Sequence, residues 1–222
     1  MARSRPSAPH DRPRTRLSGA DRRALIITTA TEVFAESGYQ RATMGQIAAR
    51  LGVTEPVLFQ NFGSKTGLYA ATVAHATGRM VAMLSDLAAR ADSVGALLRQ
   101  LLSPDHIDEL HAPGSLGVIF ADAMTLAAEP AIEAAVRQHL GDLATALSEI
   151  VARGQNDGEL HTGLDPEAVA WMLLSFLSAH RFRTAVMPDR RRLEERIAAM
   201  TLNMILPSGE TPTPRRDDHR DR

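Results

Sequence analysis

The sequence contains no cysteine, which excludes disulfide bonds, thiolate metal sites and a cysteine nucleophile. Apolar runs of the roughly 18 residues that a membrane-spanning helix needs are also absent. Aromatic residues amount to only 4%, so the composition gives little indication of a planar aromatic ligand. The basic N-terminal stretch is not followed by an apolar segment, as a secretory signal would be. We therefore expect a cytoplasmic protein that does not insert into a membrane.

Motifs of the common enzyme classes are missing as well. The sequence has no glycine-rich phosphate loop, no G-x-S-x-G elbow and no H-E-x-x-H pair. The adjacent carboxylates Glu194 and Glu195 diverge on a helix, which suits solvent-exposed positions better than acid–base catalysis. We expect no catalytic residues and no cofactor.

A histidine-containing segment lies between two prolines. His106 and His111 are five residues apart, so a helix does not place both on one face. The segment predicts a polar surface stretch rather than a metal site. Its acidic members are Asp105, Asp108 and Glu109.

The net charge of -1 is unevenly distributed. Residues 1–65 carry ten basic and five acidic groups, whereas residues 66–222 carry fifteen basic and twenty-one acidic groups. A basic N-terminal part on an acidic remainder fits a nucleic-acid-binding module joined to a ligand or partner domain. A solvated arginine-rich tail without a partner is the alternative.

The apolar periodicity predicts an all-α chain without strands. Residues 1–17 are rich in proline and arginine and predict a disordered arm, and residues 207–222 predict a disordered tail. Ser18 and Asp21 resemble a capping box that starts a helix, which Ser37–Gly38 ends. Further helices are predicted near residues 132–151, 165–184 and 189–205, with a loop at 154–159.

Residues 43–62 predict two short helices joined by a glycine turn. Thr43 with Gln46 forms a capping box, Gly52 supplies the turn, and Thr54 caps a helix that runs to about Phe62. Ser64 then caps a long fourth helix to about Ala89. This is the arrangement of a helix-turn-helix, in which the second helix enters the major groove of DNA, although any helical bundle contains such turns.

This part of the chain resembles the N-terminal domain of TetR-type transcriptional regulators over about 50 residues. Six short elements carry the resemblance at matching spacings. They are Phe34-x-x-x-Gly38-Tyr39, Ala42-Thr43, Ile47-Ala48, Gly52-Val53, Leu58-Phe59-x-x-Phe62 and Ser64-Lys65-x-x-Leu68.

The resemblance implies a three-helix DNA-binding domain over residues 18–65 and a helical ligand-binding and dimerisation domain over residues 66–206. It further implies a homodimer that binds a palindromic operator in double-stranded DNA, usually as a repressor released by a small-molecule effector. A constitutive or structural DNA-binding protein without an effector is the alternative.

The family's DNA contacts transfer to this chain by position. Thr43 would bond a phosphate and Lys65 would neutralise one. Phe59 and Asn61 depart from the family, which usually has tyrosine and histidine there. Glu55 either accepts a hydrogen bond from cytosine or is merely tolerated near DNA, and we favour the second. The residues expected at DNA are Thr43, Thr54, Glu55, Pro56, Val57, Phe59, Gln60, Asn61 and Lys65.

Seven arginines precede or begin the first helix. They either extend the DNA footprint, as disordered arms do, or form a solubilising tail. They are Arg3, Arg5, Arg12, Arg14, Arg16, Arg22 and Arg23.

Two further sets of residues are predicted in the C-terminal part. The large, adaptable side chains Met83, Phe120, Met124, Trp171 and Phe176 are ligand-pocket candidates, with plain core packing as the alternative. The last two helices carry apolar stripes that either pair with a second copy as a four-helix bundle or belong to the subunit's own core. The stripes are Val169, Met172, Leu173, Phe176, Leu177, His180, Leu193, Ile197, Met200 and Met204.

Overall fold

The computed structural model describes residues 18–126 and 128–207. Within these ranges the chain forms eleven helices and no strand, so the all-α prediction is confirmed. The predicted arm at 1–17 and the predicted tail from residue 208 onward lie outside the described residues. The helices are α1 Gly19–Arg41, α2 Met44–Leu51, α3 Glu55–Phe62, α4 Lys65–Arg90, α5 Val94–Leu101, α6 Pro104–Leu110, α7 Leu116–Thr125, α8 Pro130–Asn156, α9 Pro166–Ser178, α10 His180–Val186 and α11 Arg190–Ile205.

Helix α1 begins and breaks where the sequence predicts. The Ser18 hydroxyl accepts a hydrogen bond from the Asp21 N–H at 3.0 Å and donates one to its carboxylate at 2.7 Å. Gly38 adopts φ +74° and ψ 161°, a conformation that is almost restricted to glycine. The chain then makes one more helical turn to Arg41, so α1 has a break rather than an end at Gly38.

The capping signals of the next helices are formed. Thr43 and Gln46 bond reciprocally at the start of α2, at 3.1 and 2.9 Å. Gly52 turns the chain with φ +69°, and the Ser64 hydroxyl accepts from the Gly67 N–H to begin α4. Thr54 occupies the N-cap position of α3, but its side chain makes no capping hydrogen bond.

Two downstream predictions are wrong. Helix α8 continues to Asn156, so the first half of the loop predicted at 154–159 is helical. The single helix predicted over 165–184 is interrupted at Ala179, which separates α9 from α10. At this break the Phe176 carbonyl accepts a hydrogen bond from the Arg183 guanidinium at 2.6 Å, so the interruption leaves that carbonyl satisfied.

The N-terminal helices share one apolar core with the bundle. Buried side chains of α1 to α4 pack with Ile119 of α7 and with Ile132 and Val136 of α8. The buried Tyr69 hydroxyl of α4 donates to the Ile119 carbonyl at 2.7 Å, and burial raises the pKa of Tyr69, which keeps this donor protonated. A displacement of α7 therefore reaches the helix-turn-helix by direct packing. Two further apolar clusters join α8 and α9 to α4, α5 and α11.

Candidate nucleic-acid interface and internal cavity

Helix α3 presents most of the predicted DNA-contacting side chains to solvent. Thr54, Glu55, Pro56, Phe59 and Gln60 are exposed. The opposite face of the helix is anchored by Leu58, which is fully buried in the core. The helix sequence EPVLFQNF contains no basic residue, so attraction to phosphates has to come from neighbouring elements.

Val57 and Asn61 are turned partly inward. Val57 packs against the N-terminal core, and the Asn61 side-chain amide donates to the Val57 carbonyl at 2.7 Å. One hydrogen of the Asn61 amide is therefore engaged within the helix, whereas its second hydrogen and its oxygen stay available for an outside partner.

Of the seven arginines considered for an extended DNA footprint, Arg23 makes contacts within the domain itself. This residue lies on α1, where its guanidinium donates to the Asn61 backbone carbonyl and lies 4.1 Å from the centroid of the Phe62 ring. Arg23 thus holds the C-terminal end of α3 against α1. Arg22 is partly buried on α1. The remaining five arginines, Arg3, Arg5, Arg12, Arg14 and Arg16, lie outside the described residues.

Glu55 leans toward α2. A Cβ atom on Gly45 would lie 2.9 Å from the Glu55 carboxylate oxygen, so the carboxylate rests against the first turn of α2. The partial positive charge of a helix N-terminus favours a carboxylate there. This placement agrees with toleration of Glu55 near DNA better than with a contact to a base.

Thr43 and Lys65 flank α3 with groups suited to phosphate. The Thr43 hydroxyl accepts from the Gln46 N–H, which leaves its own proton free to be donated. The Lys65 ammonium lies 4.3 Å from the centroid of the Tyr39 ring and 3.5 Å from the Gln40 carbonyl. Partial burial lowers the pKa of Lys65. Both side chains stand at helix N-termini, where backbone N–H groups also favour an anion.

A cavity of about 310 Å³ lies among α4 to α10, and it is partly open to solvent, since the lining residues Met83 and Met124 are 53% and 52% exposed. Leucine and methionine side chains form most of its wall. Three of the predicted pocket residues, Met83, Phe120 and Met124, line it, whereas Trp171 and Phe176 do not. Trp171 is exposed on the outer side of α9, and the Phe176 ring packs against the Arg183 guanidinium at 4.4 Å.

Five polar side chains are part of the cavity lining, and two of them, His111 and Arg181, also line the cleft beside Gly38. The five are His106, His111, Thr125, Ser178 and Arg181. The prediction of a polar surface segment is therefore wrong for both histidines, because α6 turns them toward the cavity. Burial lowers the pKa of His106 and of His111. No three metal-ligating side chains converge within the described ranges.

The prediction that Glu194 is exposed to solvent is also wrong. Its side chain is 0% exposed and accepts hydrogen bonds from Arg183 at 2.6 Å and from Arg190 at 2.8 Å. The His180 ring lies 3.9 Å away and stacks on His111 at 4.4 Å between centroids. Packing of α11 against α10 encloses this carboxylate, whereas the adjacent Glu195 remains exposed.

The apolar stripes of the last helices are divided between core and surface. Val169 and Leu173 are 4% and 2% exposed and pack within the subunit's own core, so the prediction that they contact a second copy is corrected. Met200 and Met204 are exposed. The other predicted interface residues are partly buried, namely Met172, Phe176, Leu177, His180, Leu193 and Ile197.

Three more exposed apolar residues lie in the same region, and none of them was among the predicted interface residues. Trp171 of α9 and Phe182 and Val186 of α10 project to solvent, and Phe182 is 65% exposed. The break at Ala179 redirects the chain after α9, so helical periodicity across 165–184 could not assign Phe182 to a face. We refer to these three residues, together with the exposed Met200 and Met204, as the apolar surface of α9 to α11.

The fold and the exposed α3 define a helix-turn-helix DNA-binding protein. Residues 26–72 match the sequence model of the bacterial regulatory proteins of the tetR family, and residues 125–200 match that of the tetracyclin repressor-like C-terminal domain. The chain belongs to the TetR family of transcriptional regulators. No helix in the described part of the chain is long and apolar enough to cross a membrane.

Two curated relatives match part of the chain. The HTH-type transcriptional activator FasR of Mycolicibacterium smegmatis is 47% identical over 58 residues, which are 26% of either chain. The HTH-type transcriptional repressor Rv1474c of Mycobacterium tuberculosis is 33% identical over 91 residues, which are 41% of this chain and 46% of that protein. The chain thus spans less than half the length of these relatives, one an activator and the other a repressor.

Solved structures extend the likeness to the whole fold. A TetR-family regulator from Cytophaga hutchinsonii superposes with a TM-score of 0.68 at 17% identity, covering 87% of this chain and 100% of that one. FadR from Bacillus subtilis, in complex with stearoyl-CoA, gives a TM-score of 0.62 at 18% identity, covering 82% and 98%. At these identities the likeness establishes the fold alone.

Proposed function

We propose that this chain is a homodimeric repressor that binds a palindromic operator in the cytoplasm and leaves it when a small molecule occupies the cavity. One observation carries the proposal: α7 lines the cavity and also packs in the core of the helix-turn-helix. An occupant that shifts α7 therefore acts on the surface presented to DNA. The repressor assignment rests on the family resemblance.

The cavity favours this proposal over a constitutive DNA-binding protein. A protein without an effector has no need for an apolar cavity lined by a few polar groups, and the volume of about 310 Å³ is at the lower end of ligand sites. Its leucine and methionine wall suits an aliphatic molecule. The stearoyl-CoA bound by a structural neighbour agrees with an effector of that kind.

Selection of bound sequences from a random duplex pool tests DNA recognition. We expect enrichment of two inverted half-sites, because a two-fold dimer places its recognition helices about 34–36 Å apart, one turn of DNA. Enrichment of an asymmetric site, or of no sequence at all, would refute the palindromic repressor.

Gln60→Ala and Lys65→Ala are expected to weaken DNA binding in different ways. Loss of the exposed amide of Gln60 should cost about 1–3 kcal/mol on the selected operator and relax sequence preference. Loss of the Lys65 charge should weaken binding to all sequences. It should also reduce, by about one, the magnitude of the slope of the logarithm of the DNA-binding constant against the logarithm of the salt concentration. Fluorescence anisotropy at several salt concentrations measures both effects.

Gln138→Ala is the matched control for these variants, because Gln138 is exposed on α8 away from α3. Its affinity and salt slope should equal those of the wild type. If Gln60→Ala behaves like Gln138→Ala, the proposed base contact is wrong.

Met200→Glu is expected to weaken the homodimer about tenfold or more. Met200 is 70% exposed on the apolar surface of α9 to α11, and a carboxylate there would be buried unpaired in a two-fold interface. Sedimentation velocity at several protein concentrations measures the change. Leu25→Glu, at an exposed leucine on α1, is the control and should leave the dimer unchanged. A Met200→Glu protein as dimeric as wild type would place the interface elsewhere.

A further inference from the structure

Asp122 of α7 links the cavity region to the DNA-binding helices through its two carboxylate oxygens. Oδ1 accepts a hydrogen bond from the Arg181 guanidinium of α10 at 2.7 Å. Oδ2 accepts from the Tyr39 backbone N–H at 2.8 Å, in the last turn of α1. The Asp122 side chain is mostly shielded from water, at 17% exposure. One carboxylate thus joins three helices.

Gly38 makes this contact possible. A Cβ atom at Gly38 would lie 3.0 Å from Asp122 Oδ2, tighter than ordinary contacts, and the φ of +74° disfavours any other residue. The break in α1 therefore exposes the Tyr39 N–H and opens the space that the Asp122 carboxylate fills.

Arg181 stands between two spaces. It is one of the polar side chains that line the apolar cavity, and it also lines a cleft of about 390 Å³ along the end of α1 that includes Gly38 and Asp122. His111 lines both spaces as well. Burial lowers the pKa of His111, and the nearby cations of Arg181 and Arg183 lower it further, against an opposing hydrogen bond to the Ile107 carbonyl. Of these two residues that line both spaces, Arg181 is the one that carries a permanent positive charge.

Tyr39 contacts residues of α4 near the predicted DNA-binding side. Its ring packs edge-on against Tyr69 at 4.7 Å between centroids and lies under the Lys65 ammonium at 4.3 Å. Its hydroxyl is 3.2 Å from the Thr66 hydroxyl in the first turn of α4. A shift of Tyr39 therefore moves the N-terminus of α4 and the Lys65 side chain, which we place at a phosphate.

We propose that the effector is an aliphatic carboxylate whose chain fills the cavity and whose head group pairs with Arg181, drawing it away from Asp122. The inference rests on the proposed function and names the ligand class and the route of the response. Arg181 gives Asp122 a single hydrogen bond, from Nη1, because the second Asp122 oxygen is held by the Tyr39 N–H. A free carboxylate can accept two parallel hydrogen bonds from the same guanidinium, so it competes with Asp122 for Arg181. Loss of the Arg181 partner frees Asp122 and, with it, the Tyr39 end of α1.

The first test measures ligand binding without DNA. Calorimetry on the full-length protein compares decanoate with decanol, which share the chain and differ in the charged head. We expect wild type to bind decanoate about tenfold or more tightly than decanol, the range of a charge-assisted hydrogen bond. Arg181→Gln should abolish this preference by weakening decanoate alone. Arg137→Gln, at an exposed arginine of α8, is the matched control and should keep the preference.

The second test measures the link to DNA on the selected operator. Decanoate should lower the DNA affinity of wild type by about 5–150-fold, the usual range of allosteric coupling. Asp122→Asn keeps an oxygen that accepts from Tyr39 but loses the charge that competes for Arg181. This variant should bind decanoate several-fold more tightly, and its DNA affinity should no longer respond to decanoate.

Equal binding of decanoate and decanol to wild type, or no binding of either, would overturn the ligand class. A preference that survives Arg181→Gln would overturn the role of Arg181, and an unchanged response in Asp122→Asn would overturn the link. Failure of the proposed function is distinguishable, because a protein that selects no operator can still show Arg181-dependent binding of decanoate in the calorimeter.

Discussion

Glu194→Ala is expected to lower the free energy of unfolding by about 3–5 kcal/mol. The substitution leaves Arg183, whose side chain is 5% exposed, without the carboxylate that it contacts at 2.6 Å. Arg190 loses its 2.8 Å contact at the same time. A buried cation without a counter-charge destabilises the folded state, because water hydrates the same cation in the unfolded chain.

Glu195→Ala provides the matched control, since it removes the same group from the next position of α11. Glu195 is exposed, so its loss should change stability by no more than about 0.5 kcal/mol. Urea unfolding at one fixed protein concentration compares the two variants, because dimerisation would make stability depend on concentration. Equal stability of the two variants would show that the Glu194 network does not support the fold.

A double replacement separates the charge from the packing. Arg183→Met combined with Glu194→Leu removes the buried Arg183–Glu194 pair and keeps apolar volume, and such replacements of buried ion pairs are often neutral or stabilising. Arg190 keeps its contact to Asp108 at 2.7 Å in this variant. We therefore expect the double variant to be more stable than Glu194→Ala. A double variant as unstable as Glu194→Ala would indicate that the cost arises from lost packing around α10 and α11.

The helix-turn-helix could be predicted because its signals are local. The Thr43–Gln46 capping box, the left-handed Gly52 and the Ser64 cap each act within three or four residues, and the structure forms all of them. The break at Gly38 is equally local, because a glycine is needed wherever the backbone adopts that conformation. Such features depend little on what the rest of the chain does.

The cavity and its link to α1 could not be predicted, because their partners are distant in sequence. Asp122 and Arg181 are 59 residues apart, and Tyr39 and Asp122 are 83 residues apart. Helical periodicity gives the inward face of each helix separately, but it does not say which helix covers that face. The same limit explains why Glu194 was expected in solvent and why Val169 and Leu173 were expected at a partner.

Gly117→Ala is expected to destabilise the protein by about 3 kcal/mol or more, beyond the usual cost of overpacking. A Cβ atom at Gly117 would lie 2.0 Å from the Leu110 carbonyl oxygen and 2.9 Å from its carbon, so backbone would have to move. The Ser115 hydroxyl donates to that same carbonyl, and this hydrogen bond would be strained with it. The start of α7 can pack against the end of α6 only because Gly117 has no side chain.

Gly141→Ala is the control, at a glycine inside α8 where an added Cβ meets no atom within 4 Å. Alanine there should stabilise the helix by about 0.5–1 kcal/mol, because glycine loses more backbone entropy on folding. The midpoints of thermal and urea unfolding should therefore fall for Gly117→Ala and rise for Gly141→Ala. Because α7 also carries Phe120 and Asp122, a Gly117→Ala protein that still folds should lose affinity for decanoate. Unchanged stability and decanoate affinity would mean that α6 and α7 can separate freely, which would contradict a cavity wall fixed by their close packing.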